Sequence, residues 1–515
     1  MNSKRVVNII NFIRAEDPRP GQKELFDTFV NEVELCKSYP MPYTFLMQYD
    51  TLVRPEYVKV LKDNTDSNME IGVWIEMAQE QVEKLGIKWR GRPGYKWDWH
   101  VNPDMLMAYT LPQREALIDE LMEKFFSTFG YYPRSAGSWL LDSYSVNYMA
   151  EKYGIEAFCI CRDQFGTDGY TLWGGYYNQG YYPSKKNVFM PAQTKEQQIN
   201  VPIFRMLGPD PIYQYDMDLD EHCNPVPLQH VYTMEPAWSL GQNPDWVDWY
   251  LHTNFESEDM GFSYTQTGQE NPFTWKVFGD GLKMQMEKIY NGVKEGRWEV
   301  LSMGDTGHWF KNTYETTPAT AITALNDWKG EGNQSVWYNC KNYRVNFCRK
   351  DGKVGIRDMF VFAETHCERY IDDCVKGDSA IYDTLPVVDG YRWSGNDIHS
   401  VLFFEEKNAE IINVKAEPEK SLLNIVIKTK DGLINAVCCE DAIKIMSDNN
   451  LPLMSLQYNT TADTEIKSIT DDEIRYLHNG VIYGIRISVA RFEKRENGFA
   501  IVSADKEIHI IPFVV

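Results

Sequence analysis

Acidic side chains end five apolar runs within the first 310 residues, at Asp50, Glu76, Asp142, Asp163 and Asp305. Four of these runs follow a segment with a helical pattern, and alternating helices and buried strands build a parallel sheet. Active sites in such sheets lie at the carboxyl ends of the strands. Repeated carboxylates at that edge predict an enzyme that acts on a polar substrate.

Four residues in polar loops are the candidates for acid and base chemistry: Asp17, His100, Glu270 and Asp305. Asp17 follows the first apolar run and is held extended by the proline after it. Glu270 lies in the polar tip QTGQENP after the run MGFSYT, and is the best candidate for a general acid or base. The alternatives are an ordinary Asp-Pro turn for Asp17 and a surface position for Glu270.

Two spacings place a carboxylate close to a histidine. In WDWH, Asp98 and His100 share one side of an extended segment, so Asp98 could orient the imidazole or both could bind a metal. Asp305 and His308 have a D-x-x-H spacing that allows the same chemistry but also occurs by chance. A buried hydrogen bond is the alternative interpretation for Asp98 and His100.

Three arginines fall at or near the ends of predicted strands: Arg14, Arg162 and Arg205. Guanidinium groups that meet at the ends of the strands favour a substrate that carries a carboxylate, through bidentate contacts. The same arginines could instead be paired with neighbouring acids of the chain, among them Asp17, Asp142 and Asp163. Both interpretations stay open at this level.

The segment 169–189 is rich in tyrosine and glycine and has little helical or strand periodicity. Aromatic rings on such a loop can stack on the C–H faces of a sugar. Trp139, Trp173 and Tyr176 are therefore predicted to contact substrate, together with Asp142 and Asp163. The alternative is a long loop that packs on its own rings.

Composition excludes several classes of function. A net charge of −22 argues against binding to nucleic acid or anionic membranes. Ten cysteines without a C-x-x-C spacing predict reduced thiols and no zinc ribbon. The chain has no long apolar run and no secretory pattern at its start, so a cytoplasmic protein is expected. The nucleophile elbow, phosphate-loop, dinucleotide and H-E-x-x-H motifs are absent, and so is H-x-x-x-H.

The elements predict an α/β protein in two parts. Helix and strand signals alternate over residues 1–340, which predicts a (β/α) barrel of TIM type with long loops. The best-defined helix begins after Thr110 and ends at Gly130. Alternating apolar runs between turn signals over 341–515 predict a β-rich region, most simply a β-sandwich.

The blocks VVNIINFIRAEDPR, YKWDWH, FGYYPRSAGSWLLD and VPIFRMLGPDPIYQYD resemble a family of bacterial, often gut-associated glycoside hydrolases of the glycoside hydrolase/deacetylase superfamily. The resemblance covers roughly residues 4–350. It implies a (β/α) barrel, exo-action on a glycan and an appended β-rich domain. Some members of that superfamily are inverting sialidases with an Asp and a His, a scheme onto which Asp17 and His100 could be mapped.

The resulting prediction is a glycoside hydrolase that needs no cofactor or metal and takes a carbohydrate substrate, with an acidic sugar such as sialic or uronic acid as the first to test. A metal-dependent carbohydrate deacetylase using Asp98, His100, Asp305 or His308 is the first alternative. A glycan-binding protein without catalysis is the second. Association into a homo-oligomer stays open.

Overall fold

A computed structural model describes residues 3–160, 164–165, 169–170, 175–213, 232–389, 402–406, 408–449, 454–457, 464–495, 498–503 and 505–515. Arg162, Asp163 and Trp173, three of the predicted substrate contacts, lie outside these residues.

The first part of the chain contains the parallel sheet and all the α-helices of the described residues. Its strands are β1 Lys4–Ile13, β2 Tyr43–Met47, β3 Met69–Trp74, β4 Ser135–Ser138, β5 Ala157–Ile160, β6 Gln164–Phe165, β7 Gly169–Tyr170, β8 Gly180–Tyr181, β9 Ile203–Arg205, β10 Phe262–Thr267 and β11 Glu299–Leu301. Its α-helices are α1 Gln22–Lys37, α2 Tyr49–Leu52, α3 Pro55–Asn64, α4 Gln79–Lys84, α5 Val101–Asp104, α6 Leu111–Phe129, α7 Ser143–Tyr153, α8 Pro244–Glu256, α9 Trp275–Lys294 and α10 Met303–Thr313.

The main sheet has the strand order β10-β1-β2-β3-β4-β5-β9-β8, and β11 also pairs with β1. Every pairing is parallel except that of β8 with β9. Between the described parts of β9 and β10 there is no strand pairing, but the rings of Phe204 and Tyr264 lie 4.9 Å apart. The sheet is therefore barrel-like and nearly closed, which confirms the α/β class, while a regular TIM barrel stays a prediction.

Helix α6 shows why the local sequence signals were reliable. Thr110 and Gln113 form a capping box at its start, and Gly130 ends it in the left-handed conformation with φ of 84°. Leu117, Leu121 and Phe125 share the buried face of the helix. These signals are local, so they specify the ends and the buried face of the helix independently of its tertiary contacts.

The rest of the chain forms two antiparallel sheets. Their strands are β12 Thr320–Ala324, β13 Gln334–Asn339, β14 Tyr343–Lys350, β15 Lys353–Val361, β16 Leu385–Asp389, β17 Leu402–Phe404, β18 Glu410–Glu417, β19 Leu422–Thr429, β20 Gly432–Cys439, β21 Ala442–Ser447, β22 Met454–Gln457, β23 Thr464–Ile469, β24 Glu473–His478, β25 Val481–Ser488, β26 Arg491–Arg495, β27 Gly498–Val502 and β28 Glu507–Val514. One sheet runs β12-β13-β14-β15-β17-β22-β27-β26 with β16 on β15, and the other runs β18-β19-β20-β21-β28-β25-β24-β23.

The two sheets pack on each other, since the hydroxyl of Tyr483 in one donates to the carbonyl of Pro386 in the other. The first sheet already begins at Thr320, ahead of the predicted boundary at residue 341. Among the described residues, no helix is long and apolar enough to cross a membrane.

The β15–β16 loop, residues 362–384, connects the β-rich part to the barrel. The amide of Val101 donates to the carbonyl of Asp378, and the amide of Val375 donates to the carbonyl of Met107. The carboxylate of Glu368 accepts the amide of Ser143, the first residue of α7, which follows β4. The loop therefore lies against segments that follow the carboxyl ends of the barrel strands.

Candidate active site at the carboxyl ends of the strands

Three carboxylates surround the guanidinium group of Arg14. Its Nη2 lies 2.6 Å from Oε2 of Glu270 and 3.1 Å from Oε2 of Glu76, and its Nη1 lies 3.4 Å from Oδ2 of Asp17. None of the four side chains is more than 4% exposed. Burial alone would lower the pKa of Arg14, but the three carboxylates raise it overall. The structure thus brings Arg14, Asp17 and Glu270 together as predicted, and adds Glu76.

The alternation of side chains along β1 and β3 places this cluster above the barrel core. Phe12 and Trp74 point to the same side as Arg14 and Glu76, two residues further along each chain. Their rings stack at 4.4 Å, so Arg14 and Glu76 follow β1 and β3, which flank β2, on the same side of the sheet. Trp139, after β4, packs its ring edge-on against both rings and is 5% exposed. Trp139 therefore forms the upper layer of the core beneath the cluster.

A glycine lets β10 bring Glu270 to the same place. Gly268 has φ of 126°, and a Cβ there would lie 1.7 Å from the carbonyl oxygen of Ile10. Past this contact, the carbonyl of Gln269 accepts the amide of Phe12. The close approach of the two backbones at Gly268 is what sets Glu270 beside Arg14.

Asp104, at the end of α5, is a fourth carboxylate of the cluster. It is fully buried, its Oδ1 accepts the amide of Met77, and it interacts electrostatically with Glu76 and Arg14. Burial and the negative charge of Glu76 raise the pKa of Asp104 well above its usual value. This shift favours the protonated form of the Asp104 carboxyl. Asp104 carries no signal in the sequence, because no predicted strand ends at it.

Asp50 shapes the loop that carries Arg14 and Asp17. Its Oδ2 accepts the amides of Ala15 and Glu16 at 2.9 and 2.7 Å. Burial raises the pKa of Asp50 to about 7. This strand-end carboxylate has a positioning role through the backbone of the β1–α1 loop.

Arg19 covers the cluster from the solvent side. Its Nη2 lies 2.7 Å from Oδ2 of Asp17, and its side chain is 37% exposed whereas that of Asp17 is fully buried. Its guanidinium carbon lies 5.7, 5.9 and 5.5 Å from the ring centres of Trp97, Trp99 and Phe273. A partly exposed cation among aromatic rings therefore stands directly over the buried carboxylates.

His100 and Asp98 are paired as the spacing predicted. Nδ1 of His100 lies 2.8 Å from Oδ1 of Asp98, which also binds the guanidinium group of Arg92. Burial would raise the pKa of Asp98, but the hydrogen bonds from Arg92 and His100 lower it to about 2. The ring of Trp97, the residue before Asp98, has its centre 3.8 Å from the guanidinium carbon of Arg14. His100 thus belongs to the loop above the cluster and makes no ion pair with its carboxylates in the described structure.

The depressed pKa of Asp98 predicts a pH-dependent contribution to stability. A folded-state pKa of about 2, below the usual 3.8, means that the ionised carboxylate stabilises the fold above about pH 4 and loses that effect as the pH falls towards 2. The melting temperature of the Asp98→Asn variant should therefore be below that of the wild type at pH 7, and the two should converge on acidification. Asp378→Asn is the matched control, because Asp378 faces the other nitrogen of His100 at 3.9 Å but is 80% exposed. A constant difference from pH 7 to pH 2 for Asp98→Asn would contradict this assignment.

Asp305 and His308 lie at the opposite end of the barrel. The predicted strand end at Asp305 is wrong: β11 stops at Leu301, and Asp305 lies in the first turn of α10, where its amide binds the cap Ser302. Asp305 is 54% exposed and pairs with Arg134, while His308 is 64% exposed. These two residues therefore do not join Asp98 and His100, and the four cannot share one metal.

Asp142 has a structural role in the described contacts. It caps α7 by accepting the amide of Ser145, and it lies 3.1 Å from Nη1 of the buried Arg114. The pairing interpretation thus fits Asp142, although its partner is Arg114 and not one of the three strand-end arginines.

The tyrosines of the aromatic loop are buried. Tyr176, Tyr177, Tyr181 and Tyr182 are at most 1% exposed, so the predicted sugar platform is wrong for these rings. Tyr176 and Tyr181 pack on each other, whereas Tyr177 stacks on Trp337 of β13. The carbonyl of Tyr176 accepts a hydrogen bond from the fully buried Arg205. Neither Tyr176 nor Arg205 offers a surface to a substrate in this structure.

One solved structure shares its fold with most of this chain. A glycoside hydrolase/deacetylase from Parabacteroides distasonis superposes with a TM-score of 0.52 at 16% identity, over 74% of this chain and 91% of that one. A polysaccharide deacetylase from Pseudomonas aeruginosa gives a TM-score of 0.36 at 9% identity, over 61% and 93% of the two chains. No protein-family model and no curated protein matches the sequence.

Proposed function

We propose that this chain is a glycoside hydrolase whose catalytic carboxylates are Glu76 and Glu270. The observation that carries the proposal is the convergence of four buried carboxylates from β1, β3, β10 and α5 on Arg14 at the carboxyl ends of the barrel strands. Paired carboxyl groups at such a position are the machinery of glycoside hydrolysis. The fold shared with a glycoside hydrolase/deacetylase from Parabacteroides distasonis supports the same class of substrate.

The spacing of the two glutamates favours a retaining reaction. Both Oε2 atoms contact the same Nη2 of Arg14, so they can be no farther apart than about 5.7 Å, the sum of the two contact distances. Retaining enzymes hold their carboxyl groups about 5–5.5 Å apart, whereas inverting enzymes leave about 6.5–9.5 Å for a water molecule. Glu76 and Glu270 fit the shorter class.

The environments of the two glutamates suggest different roles. Glu270 has the shorter contact with Arg14, which holds its carboxylate in place and suits a nucleophile. Glu76 lies beside the buried Asp104, whose pKa is raised, and we propose Glu76 as the proton donor to the leaving oxygen. Asp17 is bound by both Arg14 and Arg19, and we give it the role of holding the two guanidinium groups.

Arg19 is the residue we propose for recognition of an acidic terminal sugar, with sialic acid as the first candidate and exo-action as the mode. Its side chain is partly exposed directly over the cluster, whereas Arg14 and Arg205 are buried. Half-buried rings of Trp99 and Phe273 lie beside it and can pack against a pyranose.

A screen of aryl glycosides tests the proposal. Neutral sugars, uronic acids and sialic acid would be offered to the purified protein, and release of the aryl alcohol and the anomeric configuration of the first product would be measured. Hydrolysis with retention supports the Glu76 and Glu270 pair, and inversion would contradict the assigned roles. Release of acetate from an acetylated glycan, without glycoside cleavage, would instead support a deacetylase. Binding without turnover of any sugar would support a glycan-binding protein.

Replacing Arg19 with glutamine should separate acidic from neutral substrates. Loss of a charge-assisted hydrogen bond costs about 1.5–3 kcal/mol, so kcat/KM for the acidic glycoside should fall by about 10- to 150-fold, mainly through KM. The matching neutral glycoside should be affected by less than a factor of about three. Steady-state kinetics on both substrates measure these changes in kcat/KM. Arg92→Gln, in the loop above the cluster, is the control. An equal loss on both substrates would show that Arg19 only maintains the fold of the loop.

A further inference from the structure

Three side chains with metal-ligating atoms meet far along the chain from the carboxylate cluster. His366, Asp383 and His478 each offer one ligand atom, and these atoms lie within 4.8 Å of one another. The three residues are 2%, 1% and 0% exposed. In the described part of the chain no other group of three histidine, cysteine or acidic side chains comes this close.

His366 supplies the second observation. Neither of its ring nitrogens has a hydrogen-bond partner within the described residues, although the side chain is almost fully buried. Buried polar atoms are nearly always paired, and an orphaned pair in one imidazole calls for an explanation such as a bound ion. Its ring lies 6.1 Å from that of His478, at an interplanar angle of 77°.

Asp383 is already oriented for this arrangement. Its Oδ1 lies 3.2 Å from Nε2 of His478, and its carboxylate also accepts bonds from the backbone amide and guanidinium group of Arg369. A ligating carboxylate that is held by outer hydrogen bonds is a common feature of metal sites, because those bonds fix its orientation.

We propose that His366, Asp383 and His478 bind one zinc ion. Two imidazole nitrogens and one carboxylate oxygen are a donor set that zinc accepts, with water as the fourth ligand. Small side-chain rotations would suffice, since two ligand atoms at about 2.0–2.1 Å from a tetrahedral zinc lie about 3.4 Å apart.

The position of the three residues gives the ion a structural role. His366 and Asp383 belong to the β15–β16 loop, which contacts the barrel, and His478 ends β24 in the second sheet of the β-rich part. Zinc bound here would link the β15–β16 loop, which lies against segments that follow the barrel strands, to the second sheet of the β-rich part. The site contains none of the carboxylates around Arg14, so it stands whether or not the hydrolase proposal does.

Metal content and thermal stability test the zinc site directly. After dialysis against a chelator, one equivalent of Zn²⁺ should bind per chain, and a 100-fold excess over the dissociation constant should raise the melting temperature by a few degrees. The variants His366→Gln and His478→Gln should each lose the bound equivalent and the shift. His509→Gln, a histidine of the same sheet whose side chain is 25% exposed, should retain both.

Cobalt gives a measurement that needs no variant. Co²⁺ added to the full-length wild-type protein should produce the visible absorption of a tetrahedral nitrogen and oxygen site, and Zn²⁺ should remove it. Absence of a stoichiometric Zn²⁺ equivalent in the folded wild type would overturn the proposal. Undiminished binding in folded His366→Gln would overturn it as well.

Discussion

Replacing Glu270 with glutamine is expected to lower kcat by about 10²–10⁴-fold on the glycoside that the screen identifies. Glutamine keeps the size of the side chain but can neither take a proton nor attack as a nucleophile. Because Glu270 has the shortest contact with Arg14, the amide should still occupy the same place. Glu76→Gln is expected to cause a loss in the same range, and stopped assays of kcat with both variants measure it.

Asp305→Asn is the matched control for this experiment. It removes one acidic charge from a residue that also pairs with an arginine. The side chain of Asp305, however, is 54% exposed and lies at the opposite end of the barrel. Its kcat should stay within a factor of about two of the wild type, as expected for an exposed ion pair of small energy. If Glu270→Gln kept its circular dichroism spectrum and its activity, the assignment of Glu270 would be wrong.

The strand-end carboxylates could be predicted because their signal is local. An apolar run followed by an acidic residue marks the carboxyl end of a buried strand, and parallel pairing then places such ends side by side. Asp17, Glu76 and Glu270 follow this rule, and so does Asp50, which binds the backbone of the β1–α1 loop. The capped helix α6 and the antiparallel sheets were predictable for the same reason.

The remaining features depend on contacts that sequence spacing does not encode. Asp104 enters the cluster from a four-residue helix inside a long loop, where no periodicity marks it. Asp305 follows an apolar run, but Ser302 caps the helix α10 there. Asp305 therefore lies in the first turn of that helix, at the other end of the sheet. Tyr176 lies in a glycine-rich segment that suggested exposure, yet its ring packs against Phe362, a residue of the β-rich part. Burial of that kind is decided by the partner surface, which a single segment does not reveal.

Replacing Arg14 with methionine is expected to destabilise the fold by about 3–5 kcal/mol at neutral pH. The cation balances Glu270, Glu76 and Asp17, none of which has more than 4% of its side chain exposed, so its removal leaves buried negative charges facing one another. Lowering the pH should relieve this repulsion, so the free energy of unfolding of the variant should increase from its value at neutral pH. Denaturant unfolding at several pH values measures both effects.

The variant Arg134→Met tests whether the loss of stability depends on the burial of the arginine or only on the number of its ion pairs. Arg134 also contacts three carboxylates, those of Glu70, Glu156 and Asp305, but it is 43% exposed. Water can replace the guanidinium group there, so we expect a cost of about 1 kcal/mol or less. Adding Glu270→Gln to Arg14→Met should recover at least about 1 kcal/mol, because it removes one of the unbalanced charges. An Arg14→Met variant as stable as Arg134→Met would mean that solvent screens the carboxylates at the strand ends and that Arg14 is not needed to balance their charges.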